Sequence, residues 1–139
     1  MLWGRGPTAL DVIAAARRSG PITDATMRQR VAAAFTEHTV LELIRRRTAA
    51  ARLAGEAPGP EASIRKLLSD RHGQLVMTLA RDLVGAAALL TANGDGGLDR
   101  AEWHTGFLFS AALTIGGGTA EVQRNIIAER VLGLPHDPR

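Results

Sequence analysis

Two stretches of helical periodicity, each about thirty residues long, flank Gly55-Glu56-Ala57-Pro58-Gly59-Pro60, and no other feature constrains the fold as much. The prolines and glycines of that linker end one helix and permit a sharp reversal. Upstream, Met27, Val31, Phe35, Leu41 and Ile44 mark an amphipathic stripe. That helix is expected to start at a Thr23 or Asp24 cap and to reach about Leu53. At about 1.5 Å per residue it is a rod of roughly 45 Å. Downstream, Ile64, Leu67, Leu68, Leu75, Leu79 and Leu83 mark the buried side of a helix from Glu61 to about Leu90, interrupted at Gly73 and Gly85. A shorter helix, Thr8 to Arg18, is opened by Pro7 and closed at Gly20, with Leu10, Ile13 and Ala14 on one stripe. A polar loop from Thr91 to Asp99 leads to a fourth helix through Trp103, Phe107, Leu108 and Leu113. A fifth runs from about Thr119 to Leu132, where Gly133 and Pro135 stop it. No strand-type alternation is present. The expected fold is all-α: an antiparallel up-and-down bundle of four to five helices, one domain over residues 1–139.

The core of such a bundle must be built from small and aliphatic side chains, because aromatics make up only 4% of the sequence. Close helix–helix approach follows, since small side chains cannot bridge wide gaps. The chain has no cysteine, which rules out disulfides and thiolate chemistry and fits a reducing cytoplasm, the expected location. The N-terminus lacks a signal-peptide core, and no apolar run of about 18 residues exists, so no membrane span is expected. Net charge is only +3, and the pI near 10.9 reflects arginine in sixteen of the 17 basic positions. Arg45-Arg46-Arg47 shares its helix with Glu37 and Glu42, has no interleaved aromatics, and reads as a solvated face. No nucleic-acid partner is expected.

The tail, Ile115-Gly116-Gly117-Gly118-Thr119-Ala120-Glu121-Val122-Gln123-Arg124-Asn125-Ile126-Ile127-Ala128-Glu129-Arg130-Val131-Leu132-Gly133-Leu134-Pro135, is a glycine loop feeding a helix N-terminus. Free backbone N–H groups and the positive end of the helix dipole suit an anion such as a phosphate there. The order of residues resembles the C-terminal signature of acyl-CoA dehydrogenases, a Gly-Gly-Thr-x-Glu-(Ile/Val)-Gln-Arg-Asn-Ile-Ile-Ala-Glu-Arg-(Val/Ile)-Leu-Gly-Leu-Pro run. Pro58-Gly59-Pro60-Glu61-Ala62-Ser63-Ile64-Arg65-Lys66-Leu67 is similar to the family's entry into its long helix, and Thr23-Asp24 through Arg28-Gln29-Arg30 resembles another of its stretches.

The resemblance implies an FAD-dependent assembly that oxidises the Cα–Cβ bond of an acyl-CoA thioester. A carboxylate removes the α-proton and the β-hydrogen leaves as hydride to the flavin. It also implies homo- or hetero-oligomerisation with acyl-CoA dehydrogenase-type subunits, and acyl-CoA as substrate only in a complete assembly. By position, Thr119 and Glu121 match family residues that contact the FAD of a neighbouring subunit, with Gly118 shaping the turn. A helix cap at Thr119 and a dipole-favoured carboxylate at Glu121 are the plain structural roles of the same residues.

The chain also departs from the family pattern. Many members place the catalytic glutamate immediately before the Gly-Thr pair; here that position is Gly117. Other members draw the base from an earlier helix, which this sequence is expected not to contain in full, so no catalytic residue is assigned. An Arg-x-x-Phe-Gly stretch is absent, and Asp82-Leu83-Val84-Gly85-Ala86 stands where the family has Gln-Leu-x-Gly-Gly. The N-terminal helical and middle β-domains are likewise expected to be missing. An isolated chain is therefore expected to be inactive, and the alternative reading is a non-catalytic helical oligomerisation module.

Other constellations carry less. Asn93, Asp95, Gly96, Leu98, Asp99 and Glu102 fall at EF-hand positions, but Thr91 replaces the first acidic ligand and no second loop pairs with it. His38, His72, His104 and His136 show no metal-ligand spacing, so no metal site is expected. Ser63, Ser69 and Ser110 lack the context of a hydrolase nucleophile.

Overall fold

The structure is a computed structural model that describes residues 8–18, 20–57, 59–85 and 100–136. Pro7, Pro58, the expected end of the third helix at Ala86–Leu90 and the Thr91–Asp99 loop with its EF-hand pattern lie outside the described residues, as does the side chain of Glu102. Five α-helices are described: α1 (Ala9–Arg18), α2 (Ala25–Leu53), α3 (Glu61–Val84), α4 (Arg100–Ser110) and α5 (Ala120–Ile126). A 3-10 turn, Ala111–Thr114, extends α4, and a π-helical turn, Ile127–Val131, extends α5. There is no strand among the described residues.

The ends are fixed by local chemistry. At α1 a reciprocal box forms: the Thr8 N–H and hydroxyl each donate to Asp11 at 2.7 Å, and the Asp11 N–H donates to the Thr8 hydroxyl at 3.3 Å. These bonds, the Thr8 hydroxyl first, hold the Asp11 carboxyl below its ordinary pKa. Of the two caps considered for α2, Asp24 takes the role, accepting from the Met27 N–H at 2.6 Å. The helix α3 runs unbroken through Gly73 to Val84, with Gly85 at its C-cap. The single fifth helix expected from the sequence ends instead in the π turn. There the Leu132 N–H reaches the Ile127 carbonyl at 3.0 Å, a closure one residue wider than in an α-helix, and the Leu134 N–H reaches the Ala128 carbonyl at 2.9 Å.

Central position goes to α3, which touches every other described element. The core consists of Ala9 and Val12 of α1, Ala34 of α2, and Val76, Met77, Leu79 and Ala80 of α3. Met27, Val31, Leu75, Leu83, Trp103 and Phe107 pack around it. The expected α1 stripe is displaced: Leu10 is 47% exposed and Ala14 is exposed, while Ala9, Val12, Ala15 and Ala16 face inward. Small residues win those sites because they let α1 approach α3 closely. The same holds at Gly106 of α4, where a Cβ would lie 2.7 Å from the Met77 sulfur. On α2, Phe35 leaves the expected stripe and is half exposed, since only Ala34 of this long helix is buried.

Polar contacts tie the layers. Arg30 of α2 pairs with Asp82 of α3 at 2.7 Å, Arg81 bonds the same carboxylate at 2.8 Å, and the Arg81 guanidinium sits 4.7 Å from the Phe107 ring centre. Burial alone would raise the Asp82 pKa, but the bonds from Arg30 and Arg81 outweigh it and hold the group below its usual range.

Between α2 and α3, His72 is buried with its Nδ1 3.3 Å from Glu37, and the His38 ring centre is 6.2 Å away. Arg71 also lies 3.6 Å from Glu37. Burial pushes the His72 pKa below the ordinary 6.5 against the pull of Glu37, and His38 adds to the depression. The folded state therefore binds the proton less readily than the unfolded chain. Stability is expected to be complete above about pH 6.5 and to fall as pH drops from there towards the lower folded pKa. Thermal melts between pH 8 and 5 check this: the slope should be reduced in His72→Gln, and an unchanged slope in that variant would remove His72 as its source.

Candidate flavin-facing turn

The glycine loop is held from two sides. From α3, three polar side chains spaced i, i+4 and i+8 (Lys66, Asp70 and Gln74) form one stripe. Gln74 donates to the Ser110 carbonyl at 3.4 Å, at the end of α4. Lys66 donates to the Leu113 carbonyl at 3.0 Å, at the end of the 3-10 turn, and pairs with the buried Asp70. From the other side, Gln123 of α5, only 6% exposed, donates from Nε2 to the Gly117 carbonyl at 3.2 Å. The Ser110, Leu113 and Gly117 carbonyls are thus answered by the half-buried Gln74 and Lys66 and by the buried Gln123.

Between these holds the chain turns through Gly117 at φ +75° and Gly118 at φ +101°, a region that side chains with a Cβ rarely adopt. A Cβ on Gly118 would also lie 2.6 Å from the Gln123 amide nitrogen. Gly118→Ala is expected to cost roughly 1–2 kcal/mol of stability from its backbone alone. A chemical-denaturation midpoint unchanged from the parent would show that the turn relaxes freely.

Thr119 caps α5, accepting from the Val122 N–H at 3.4 Å. The Glu121 side chain is 77% exposed, with the Arg124 guanidinium 3.5 Å from its carboxylate. The Glu121 backbone N–H first, and then the Thr119 hydroxyl, hold that carboxyl below its usual pKa, so it is ionised at neutral pH. Two of the N–H groups at the α5 N-terminus already face Thr119 and Glu121, and an ionised carboxylate there works against a second negative charge. An ionised, outward carboxylate fits hydrogen-bond donors instead, such as ribose hydroxyls or an exocyclic amine.

Gly118 and Thr119, both half-buried, and the exposed Glu121 lie on one turn. The polar stripe behind them, Lys66, Asp70 and Gln74, and the buried Gln123 went unread. Their signal was available: Lys66 is the single lysine among 17 basic residues, and the stripe recurs every fourth position of α3. Among the described residues no group of three or more His, Cys, Asp or Glu is arranged to hold a metal. A separate cleft of about 240 Å³ lies at the α2–α3 reversal, lined by Ile44, Thr48, Ala51 and Ile64 with Arg47 and Arg52. It is below the usual ~300–1,000 Å³ of small-molecule sites.

Residues 7–132 match the family described as acyl-CoA dehydrogenase, C-terminal domain. The chain belongs to the acyl-CoA dehydrogenase family. It is 38% identical over 127 residues to the acyl-CoA dehydrogenase IpdE1 of Mycolicibacterium smegmatis, covering 91% of this chain and 30% of that protein. To IpdE1 of Mycobacterium tuberculosis it is 36% identical, covering 93% of this chain and 32% of the relative. The chain thus spans about a third of the length of these relatives. Among solved structures, the ChsE4-ChsE5 complex from Mycobacterium tuberculosis is similar at TM-score 0.74 and 28% identity, over 96% of this chain and 38% of that one. The structure titled Tcur3481-Tcur3483 steroid ACAD shares the fold at TM-score 0.79 and 23% identity, over 93% of this chain and 34% of that one. The described bundle is an acyl-CoA dehydrogenase C-terminal helical fold, and the residues forming the glycine turn fall inside the family match. No described helix is long and apolar enough to cross a membrane.

Proposed function

We propose that this chain supplies the flavin-facing turn of an assembled acyl-CoA dehydrogenase, with Gly118, Thr119 and Glu121 reaching FAD held mainly by a neighbouring subunit. The observation that carries the reading is the presentation of Glu121: ionised, exposed, and seated on a turn held from behind by the buried Gln123 and the half-buried Lys66. That carboxylate can accept from donors at the periphery of a dinucleotide, while the Thr119 hydroxyl orients it. Gly118 keeps the turn free of a side chain where α5 begins. When bound, FAD supplies the hydride acceptor for oxidation of an acyl-CoA at Cα–Cβ. Gly117 offers no carboxylate to take the α-proton, so that base comes from elsewhere in the assembly. The turn fits the edge of the cofactor and offers nothing to enclose its ring. A homo- or hetero-oligomer of acyl-CoA dehydrogenase-type subunits, working in the cytoplasm, belongs to the same reading.

One observation also favours a purely structural role. Large apolar side chains lie on the surface, among them Leu43 at 59%, Leu108 at 64% and Ile115 at 68% exposure, as a bundle built for assembly would leave them. The two readings part on cofactor binding. The co-purified assembly is expected to retain a flavin absorption band through gel filtration after FAD is added. Thr119→Val and Glu121→Gln should each weaken FAD affinity about tenfold, the worth of one charge-assisted hydrogen bond. A colourless, stable oligomer with no FAD uptake would leave the structural role in place.

A further inference from the structure

The stripe on α3 assigns a role to the one lysine of the sequence. Lys66 is only 24% exposed in its side chain, and its ammonium lies between the carboxylate of Asp70 and the Leu113 carbonyl. Its aliphatic end borders the turn as well, since a Cβ on Gly117 would sit 3.4 Å from the Lys66 Cε. The ammonium therefore occupies the negative end of the α4 and 3-10 segment, at the point where the chain leaves it for the glycine turn. A compact, tetrahedral charge suits a site bounded by one carboxylate, one carbonyl and glycine backbone. A guanidinium, planar and larger, does not. In a chain that uses arginine at every other basic position, this geometry accounts for lysine here.

We propose that Lys66 is a positioning residue: by pinning the Leu113 carbonyl to Asp70 of α3, it sets where the turn through Gly117 and Gly118 begins and so how Thr119 and Glu121 are presented. The assignment to a cofactor surface rests on the reading above that Thr119 and Glu121 face FAD. Pinning of the turn does not.

The test is hydrogen exchange read by mass spectrometry on the full chain in its assembly, with FAD titrated into the same samples. Lys66→Met and Lys66→Arg are compared with Arg65→Met, an exposed neighbour one residue away. Both Lys66 variants are expected to raise exchange at least about fivefold in peptides covering residues 114–122 and to leave α1 and α2 little changed. Arg65→Met should change neither. Lys66→Arg keeps the charge, so it reports on the site even where Lys66→Met fails to fold. FAD affinity should fall in both Lys66 variants to the level of Glu121→Gln.

Unchanged exchange over 114–122 in Lys66→Arg, or a rise spread evenly over all helices, would overturn the positioning role. Raised local exchange with FAD affinity unaltered in both Lys66→Arg and Glu121→Gln would uphold the pinning and sink the flavin reading instead. Raised exchange with affinity lost in Glu121→Gln but kept in Lys66→Arg would overturn the link from Lys66 to presentation.

Discussion

Leu79→Ala lowers the stability of the bundle by about 3–4 kcal/mol, within the range for truncating a fully buried leucine. Leu79 has no exposed surface, and it lies in the core where α1, α2 and α3 meet with Trp103 and Phe107 of α4 close by. Removing its branched end takes away the transfer energy of the lost carbons and leaves a cavity. The walls cannot close that cavity easily, because α3 packs against every other described element. Met77, flexible and equally buried, is the side chain best able to lean in, which keeps the expected loss below the upper end of the range. Urea unfolding of the two proteins measures the difference. A loss under about 1 kcal/mol would mean that α3 shifts to fill the space, and that the bundle is less tightly packed than the burial of Val76, Met77 and Ala80 indicates.

The second large effect falls on Asp70→Ala, with an expected loss of about 2–3 kcal/mol. Asp70 has only 8% of its side chain exposed, and its carboxylate pairs with the Lys66 ammonium. Truncation strands the ammonium against a single carbonyl, and stranding one charge of a buried pair costs about 3–5 kcal/mol in full burial. The 24% exposure of Lys66 lets water recover part of that. The double variant Lys66→Met, Asp70→Leu removes both charges and fills the volume, so it should be more stable than Asp70→Ala alone. A double variant at least as unstable as the single one would show that the pair contributes net stability. In the double variant the Leu113 carbonyl loses the bond from Lys66.

Much of the architecture was legible in the residues. The linker at 55–60, with its glycines and prolines, separates α2 from α3 because proline and glycine cannot continue a helix on both sides of it. Asp24 and Thr119 cap their helices because short oxygen-bearing side chains reach the free N–H groups. The order of the tail placed Gly118, Thr119 and Glu121 on one turn. What misled was the inward face of α1 and the place of Phe35 on α2. A periodic stripe marks a face but not how deep it lies, and α3 packs against every other described element while only Ala34 of α2 is buried. Leu10 and Phe35 accordingly point outward, and Ala9, Ala15, Ala16 and Ala34 take the places where helices come closest.

By itself, then, the sequence determined the helices, their caps, the reversal between the two long ones, and the family, because each rests on local stereochemistry or on residue order. Only the tertiary structure decided that Lys66, Asp70 and Gln74 stand behind the glycine turn and that Glu37, His38 and His72 meet between α2 and α3. Those contacts join residues 35 to 47 positions apart in three of the pairs, Glu37 with His72, Gln74 with Ser110 and Lys66 with Leu113. Spacing along one helix fixes which residues share a face. Which face of another helix they meet is set by the packing of the whole bundle.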